Sequence, residues 1–115
     1  RFNDINIPDD YRTIHEIVGS YALRAETNVD PDLMSQDFFD RLVAASAYRW
    51  GLLIEVTEGA VGEAAVTVAN TLMRDHFTDW WVGKTEVSRV ATPFTHSGYK
   101  TLYRKDHPFK KALAD

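Results

Sequence analysis

Apolar residues recur at three- and four-residue spacing through successive stretches between Tyr11 and Trp81, and after Thr85 the recurrence stops. That period is the signature of helices that bury one face, so it restricts the chain to a mostly α-helical fold. The first stretch runs through Tyr11, Ile14, Ile17, Val18, Tyr21, Ala22 and Ala25, a helix over about residues 10–26 with Asp9 and Asp10 at its positive end. Asn28 to Asp32 interrupts it, and Asp30-Pro31 reads as a cap followed by proline at the first helical position. A second helix is expected from about Ser35 to Ser46, burying Phe38, Phe39, Leu42 and Val43. A third covers about Ala47 to Val66, through Trp50, Leu53, Ile54, Val56, Ala60, Val61, Ala64 and Ala65. Gly51, Gly59 and Gly62 within it each weaken a helix by up to about 1 kcal/mol, a cost tolerable where a neighbouring helix packs on the bare backbone. Thr71 is expected to cap a fourth helix reaching about Lys84 and burying Leu72, Phe77, Trp80 and Trp81.

The two ends follow other rules. Phe2 to Ile7 alternates apolar and polar, the period of a half-buried strand, and Pro8 stops it. A single strand needs a partner for its backbone groups, so residues 1–8 read as the last strand of a sheet that lies elsewhere. The chain opens on Arg1 rather than Met, which fits a processed protein or a piece cut from a longer one, and the abrupt extended start of residues 1–8 favours the piece. Beyond Thr85, Pro93, Gly98 and Pro108 punctuate a segment in which Phe94, Tyr99, Tyr103 and Phe109 lie among basic residues. An irregular tail anchored to the domain surface by its aromatics is expected there, with a short helix from Pro108 to Ala114. The expected division is residues 1–8 as an extended segment, 9–84 as a helical domain and 85–115 as a tail.

Charge divides the chain in the same place. Residues 1–81 carry 6 Lys or Arg against 14 Asp or Glu, whereas residues 82–115 carry 7 against 3. A basic tail either lies on the acidic helices or meets an external acidic partner such as nucleic acid. There is no cysteine, which excludes disulfides and thiolate metal sites and fits a cytoplasmic location. No apolar run approaches the roughly 18 residues that cross a bilayer.

Candidate chemistry is sparse. His15-Glu16-Ile17-Val18-Gly19 begins like a zinc-protease helix, but Gly19 stands where the second histidine belongs, and one imidazole cannot make that site. Asp75, His76 and Asp79 fall within one turn and could form an acid–base group or a weak metal site, or simply occupy an exposed helical face. Neither GxxxxGK[ST] nor GxGxxG occurs, so the chain lacks a phosphate cradle of its own. Arg49 is the more informative residue. It opens the third helix, where a guanidinium opposes the helix dipole, a placement suited to an arginine aimed at an external phosphate. The alternatives are an ion pair with an acidic neighbour, or stacking on Trp50.

The order of these elements carries a resemblance. The strand ending in Ile5-Asn6-Ile7-Pro8 precedes the helix through Ile14, Ile17, Val18, Tyr21 and Ala22. Ala45-Ser46-Ala47-Tyr48-Arg49-Trp50-Gly51 opens the long third helix, and Thr71-Leu72-Met73-Arg74-Asp75-His76-Phe77 the fourth. Over roughly residues 1–82 this resembles the end of an AAA+ ATPase module, the final sheet strand and then the C-terminal helical lid. The kind most similar is the transposition-helper, TniB-like ATPase. The resemblance implies an all-α orthogonal bundle of about four helices, with Arg49 as the sensor-2 arginine that reaches the nucleotide's terminal phosphates. It also implies Arg1 near the place of a subunit-crossing arginine. ATP and magnesium would be bound by the parent protein and not by this fragment alone, which carries no catalytic residue. The remaining AAA+ core, further copies of the chain, and DNA or a transposase are the implied partners. Lys100, Arg104, Lys105, Lys110 and Lys111 of the tail, outside the shared pattern, are candidate phosphate contacts. Ser46-Ala47-Tyr48 departs from the small, glycine-rich lead-in common before such arginines. Two other readings stand beside this one: a freestanding helical module that docks protein or nucleic acid through residues 84–111, and an oligomerisation domain using the Trp80-Trp81 face.

Overall fold

The computed structural model of the chain describes residues 4–68 and 70–103. They form an all-α bundle: α1 (Tyr11–Arg24), α2 (Gln36–Ala45), α3 (Trp50–Val66), α4 (Arg74–Thr85) and the short α5 (Tyr99–Leu102). Two-residue strands β1 (Asn28–Val29) and β2 (Thr71–Leu72) pair in parallel, and 3-10 turns occupy Pro31–Met34 and Arg89–Ala91. The four helices read from the apolar period are therefore present.

Their starts follow local chemistry. The Ser35 hydroxyl accepts from the Phe38 N–H at 3.2 Å and starts α2. The Asp30 carboxylate accepts from the Asp32 N–H at 2.9 Å, with Pro31 at the first helical position of its turn. Asp10 stands at the N-cap of α1 but bonds backwards, accepting from the Asn6 N–H at 2.7 Å, and makes no side-chain bond into the helix. Thr71 does not cap α4. It lies in β2 opposite Asn28, and Met73 is the N-cap residue, because pairing with β1 holds Thr71 extended.

The long helices α3 and α4 pack closely at one point. Trp80 of α4 lies on the bare backbone of Gly59, where a Cβ would fall 2.1 Å from the indole Nε1. Gly59 thus has the packing reason expected of it. Gly51 and Gly62 do not, since a Cβ at either meets nothing within 4 Å.

Both ends differ from expectation. Residues 4–6 form no strand, and 7–10 form a turn. The Asn6 carbonyl accepts from the Asp10 N–H at 2.7 Å, which bends the chain before a strand can extend. Ile5 is buried in the common core, and its N–H donates to the Tyr48 carbonyl at 2.9 Å. Nor is the segment after Thr85 an appended tail as far as Tyr103. Val87, Ala91, Phe94, Tyr99 and Tyr103 are all buried, and Phe94 is 0% exposed. Its ring lies 5.9 Å from Phe38, 5.5 Å from Phe77 and 6.1 Å from Trp81, at the centre of an aromatic cluster drawn from α2, α4 and this segment. Trp81 is fully buried in that cluster, so the Trp80-Trp81 pair is largely core and not a free face. The expected helix from Pro108 to Ala114 lies outside the described residues.

Candidate functional site

Arg49 is positioned by an abrupt reversal between α2 and α3. Ala47 and Tyr48 both adopt left-handed backbone, with φ of 52° and 60°, a conformation that non-glycine residues rarely take twice in succession. The Tyr48 N–H reaches back to the Val43 carbonyl at 3.1 Å, and the Arg49 N–H to that of Ser46 at 3.0 Å. Arg49 then returns to extended backbone as the N-cap residue of α3, and its carbonyl accepts from the Leu53 N–H at 3.0 Å.

The Arg49 side chain is exposed. Among the described residues its guanidinium makes no ion pair and no stacking contact with an aromatic ring, so neither alternative for it is realised there. Among the described residues no side chain bonds to the open helix end either. α3 has no side-chain cap and no acidic residue in its first turn, leaving the positive end of a 17-residue helix beside a cation. Arg49 lines a groove of about 660 Å³ together with Trp50, Leu52 and Ile54 and with two acidic residues, Asp4 and Glu55. At the Arg49 corner the guanidinium and the open helix end favour an anionic group, and the apolar walls an apolar body, while Asp4 and Glu55 oppose negative charge elsewhere in the groove.

The other candidates have structural roles. His76 is buried, and its Nδ1 accepts from the Met73 N–H at 3.0 Å, capping α4. Asp79 pairs with Arg89, and Asp75 is exposed in the first turn of α4, so the three residues do not converge. His15 is exposed on α1, with its ring edge-on to Phe39 at 6.4 Å. Among the described residues no group of three or more His, Asp or Glu is placed to hold a metal ion. Lys100 is exposed on α5, while Arg1, Arg104, Lys105, Lys110 and Lys111 lie outside the described residues. Among the described residues no helix is long and apolar enough to cross a membrane.

Two arginines that the sequence did not single out organise another region. Arg74 grips Asp32 through two bonds of 2.9 Å, reaches Asp37 at 3.2 Å, and donates to the Phe94 carbonyl at 3.1 Å. Arg41 donates to Asp37 at 3.1 Å and to the carbonyls of Pro93 and His96 at 3.1 and 2.8 Å, while its guanidinium lies 4.5 Å from the centre of the Tyr99 ring. These bonds strap the segment around Phe94 to α2 and α4. Partial burial works against the Asp37 charge, but the two guanidinium groups outweigh it and hold the carboxyl below its ordinary range. Asp37 and Arg41 stand four apart on a helix and were findable by that spacing; Arg74 and Asp32 are separated by 42 residues and carry no local signal.

No protein-family model, curated protein or solved structure matches the chain.

Proposed function

We propose that the chain is the helical lid of an AAA+ ATPase of the transposition-helper kind, with Arg49 sensing the terminal phosphate of the bound nucleotide. The observation that supports this reading is the surroundings of Arg49: an exposed guanidinium, without an acidic or aromatic partner among the described residues, at the uncapped start of α3. A phosphate there relieves both the cation and the open helix end. Asp4 borders the same groove, so the chain runs past Arg49 as it enters the bundle, which suits a lid joined at that point to a preceding core.

Nucleotide phosphate fits Arg49 and the first-turn N–H groups of α3. The chain has no phosphate loop, so the cradle and the magnesium ligands belong to the core. ATP supplies the free energy of its terminal phosphoanhydride bond. The part of this chain is to bind one end of that group, and to turn as a rigid helical unit when the contact is made or lost. Neighbouring subunits, DNA or a transposase would feel the turn. Lys100 with Arg104, Lys105, Lys110 and Lys111 would provide phosphate contacts that position without reading sequence. A cytoplasmic location accompanies this reading.

One observation favours a second reading, a freestanding helical binding module. Ile5 at one end and buried residues between Val87 and Tyr103 at the other join the same core, so the described residues share one apolar core without a sheet from elsewhere.

Mutation of the parent protein separates the two. Arg49→Ala is expected to lower ATP turnover by roughly 10- to 100-fold, the scale of losing one charged phosphate donor, with partial recovery in Arg49→Lys. Unchanged turnover removes the sensor role. A coding sequence without GxxxxGK[ST] before Arg1 ends the AAA+ reading altogether.

A further inference from the structure

A second cavity, of about 420 Å³, lies away from the Arg49 groove and has a different chemistry. Asp40 and Ala44, one turn apart on α2, contribute to one wall, and Tyr48 follows from the left-handed turn. Tyr99 and Tyr103 come from α5 and its C-cap, four residues apart and so on one face, with the exposed Lys100 between them. The volume is within the range of small-molecule sites, roughly 300–1,000 Å³.

Asp40 defines the electrostatics. Its Oδ1 accepts from the Tyr11 hydroxyl at 2.5 Å, a bond that orients the carboxylate without neutralising it. Among the described residues no lysine or arginine pairs with it. The adjacent Arg41 is committed to Asp37 and to the carbonyls of Pro93 and His96, and Lys100, although it borders the cavity, stays beyond ion-pair distance. The negative charge is nonetheless felt around it. The hydrogen bond to Asp40 pushes the Tyr11 phenol up to about 12, and the Tyr99 phenol is raised by burial and then by Asp40. The phenols therefore stay neutral near pH 7, as rings with electron-rich faces. Tyr99 already draws cations: the Arg41 guanidinium lies 4.5 Å and the Lys100 Nζ 6.0 Å from its ring centre.

We propose that this cavity binds the ammonium head group of a cationic ligand, with Asp40 as counter-charge and Tyr48, Tyr99 and Tyr103 as aromatic walls. An anion meets repulsion from Asp40. A neutral apolar group gains the walls but leaves the carboxylate without a counter-ion. Lys100, which lines the cavity, and Arg41 at the Tyr99 ring are then internal competitors. The ammonium group could be that of a free small molecule or of an alkylated lysine on a polypeptide, which share the same chemistry. This proposal is independent of the role of Arg49.

The test is a titration of the isotope-labelled chain, followed by the NMR signals of Tyr48, Tyr99 and Tyr103 at constant ionic strength. Choline chloride is compared with 3,3-dimethylbutan-1-ol, its neutral isostere. Choline is expected to give saturable shifts at these tyrosines with at least about tenfold tighter binding than the alcohol. Asp40→Asn is expected to remove about tenfold of the choline affinity and leave that of the alcohol unchanged. A third probe, Nα-acetyl-trimethyllysine methylamide, distinguishes the sources: tighter binding than choline assigns the site to a polypeptide side chain, weaker binding to a free small molecule, and either supports the proposal. Equal affinity for choline and the alcohol, no saturable shift, or indifference to Asp40→Asn overturns it. If Asp40→Asn does not fold, the comparison of choline with its isostere on the wild-type chain decides alone.

Discussion

Arg49 and Arg74 occupy nearly the same place on two helices, one as the N-cap of α3 and the other as the first residue of α4. At both, the helix dipole disfavours a cation. The fold treats them in opposite ways. Around Arg74 it gathers Asp32, Asp37 and the Phe94 carbonyl, and partial burial, which by itself disfavours the charge, is outweighed so that the guanidinium is held more firmly protonated. Around Arg49 it gathers nothing comparable among the described residues. Position in sequence thus does not separate a structural arginine from one free to meet a ligand; the acids brought in from elsewhere do. The two environments should therefore respond to substitution by very different amounts.

The largest concerns what Arg74 holds in place. Phe94 is fully buried against Phe38, Phe77 and Trp81, and Arg74 and Arg41 bind the backbone on either side of it. Phe94→Ala leaves a cavity at the centre of that cluster and is expected to destabilise the chain by about 3–5 kcal/mol, read by denaturant unfolding. A loss below about 1 kcal/mol would mean that the strapped segment is a surface appendage after all, and the contrast between the two arginines would lose its structural half.

That segment is also where the sequence was least legible. The four long helices could be read from their apolar spacing, which is clearest in α1 and α2; Ser35 marks the start of α2, and Asp30-Pro31 the 3-10 turn before it. Between Val87 and Tyr103 there is no period to read, only buried side chains at irregular spacing fixed by bonds to Arg41 and Arg74. Helix ends were obscure for a related reason. The described residues with positive φ are Glu26, Ala47, Tyr48, Val68 and Glu86, and none is a glycine, so the usual stop signal is missing at every one. The short pairing of Asn28 with Thr71 joins residues 43 apart and leaves no local trace, which is why Thr71 read as a cap. Of the two cavities, Arg49 in the first was visible as a cation at a helix start. The second could not be seen, because Asp40, Tyr48, Tyr99 and Tyr103 meet only in the folded chain.

A smaller effect comes from Arg74 itself. Arg74→Ala removes a two-pronged grip on Asp32, but Asp32 and Asp37 are about half exposed and solvent screens much of the attraction. A loss of about 1–2 kcal/mol is expected, most of it from the bond to the Phe94 carbonyl and from packing over Phe38. Acid sharpens the same comparison. Asp37 is held below the ordinary carboxylate range, so the folded chain takes up its proton later than the unfolded chain as pH falls. The stabilisation is therefore complete above the ordinary value of about 4 and is lost as pH drops through the lowered folded value. Wild type should lose more stability on acidification than Arg74→Ala, measured by denaturant midpoints between about pH 6 and pH 3. Parallel loss in both would show that Arg74 does not set the charge of Asp37.

The smallest expected effect is the most informative about Arg49. An exposed guanidinium that touches no acid or ring among the described residues contributes little to folding, and its removal relieves a cation at the positive end of α3. Arg49→Ala should therefore change stability by no more than about 0.5 kcal/mol, with a gain as acceptable as a loss. Arg49→Glu should be neutral or slightly stabilising, because a carboxylate at that end favours the dipole, although Asp4 and Glu55 border the same groove and limit the gain. Folding thus gives no reason for a cation at this position, and under the phosphate-sensing proposal the reason lies in a ligand. The decisive pattern is the separation of two readouts: a denaturant midpoint that ignores Arg49→Ala beside an ATP turnover in the parent protein that does not. A destabilisation of 2 kcal/mol or more would place Arg49 with Arg74, as an arginine already used by the fold.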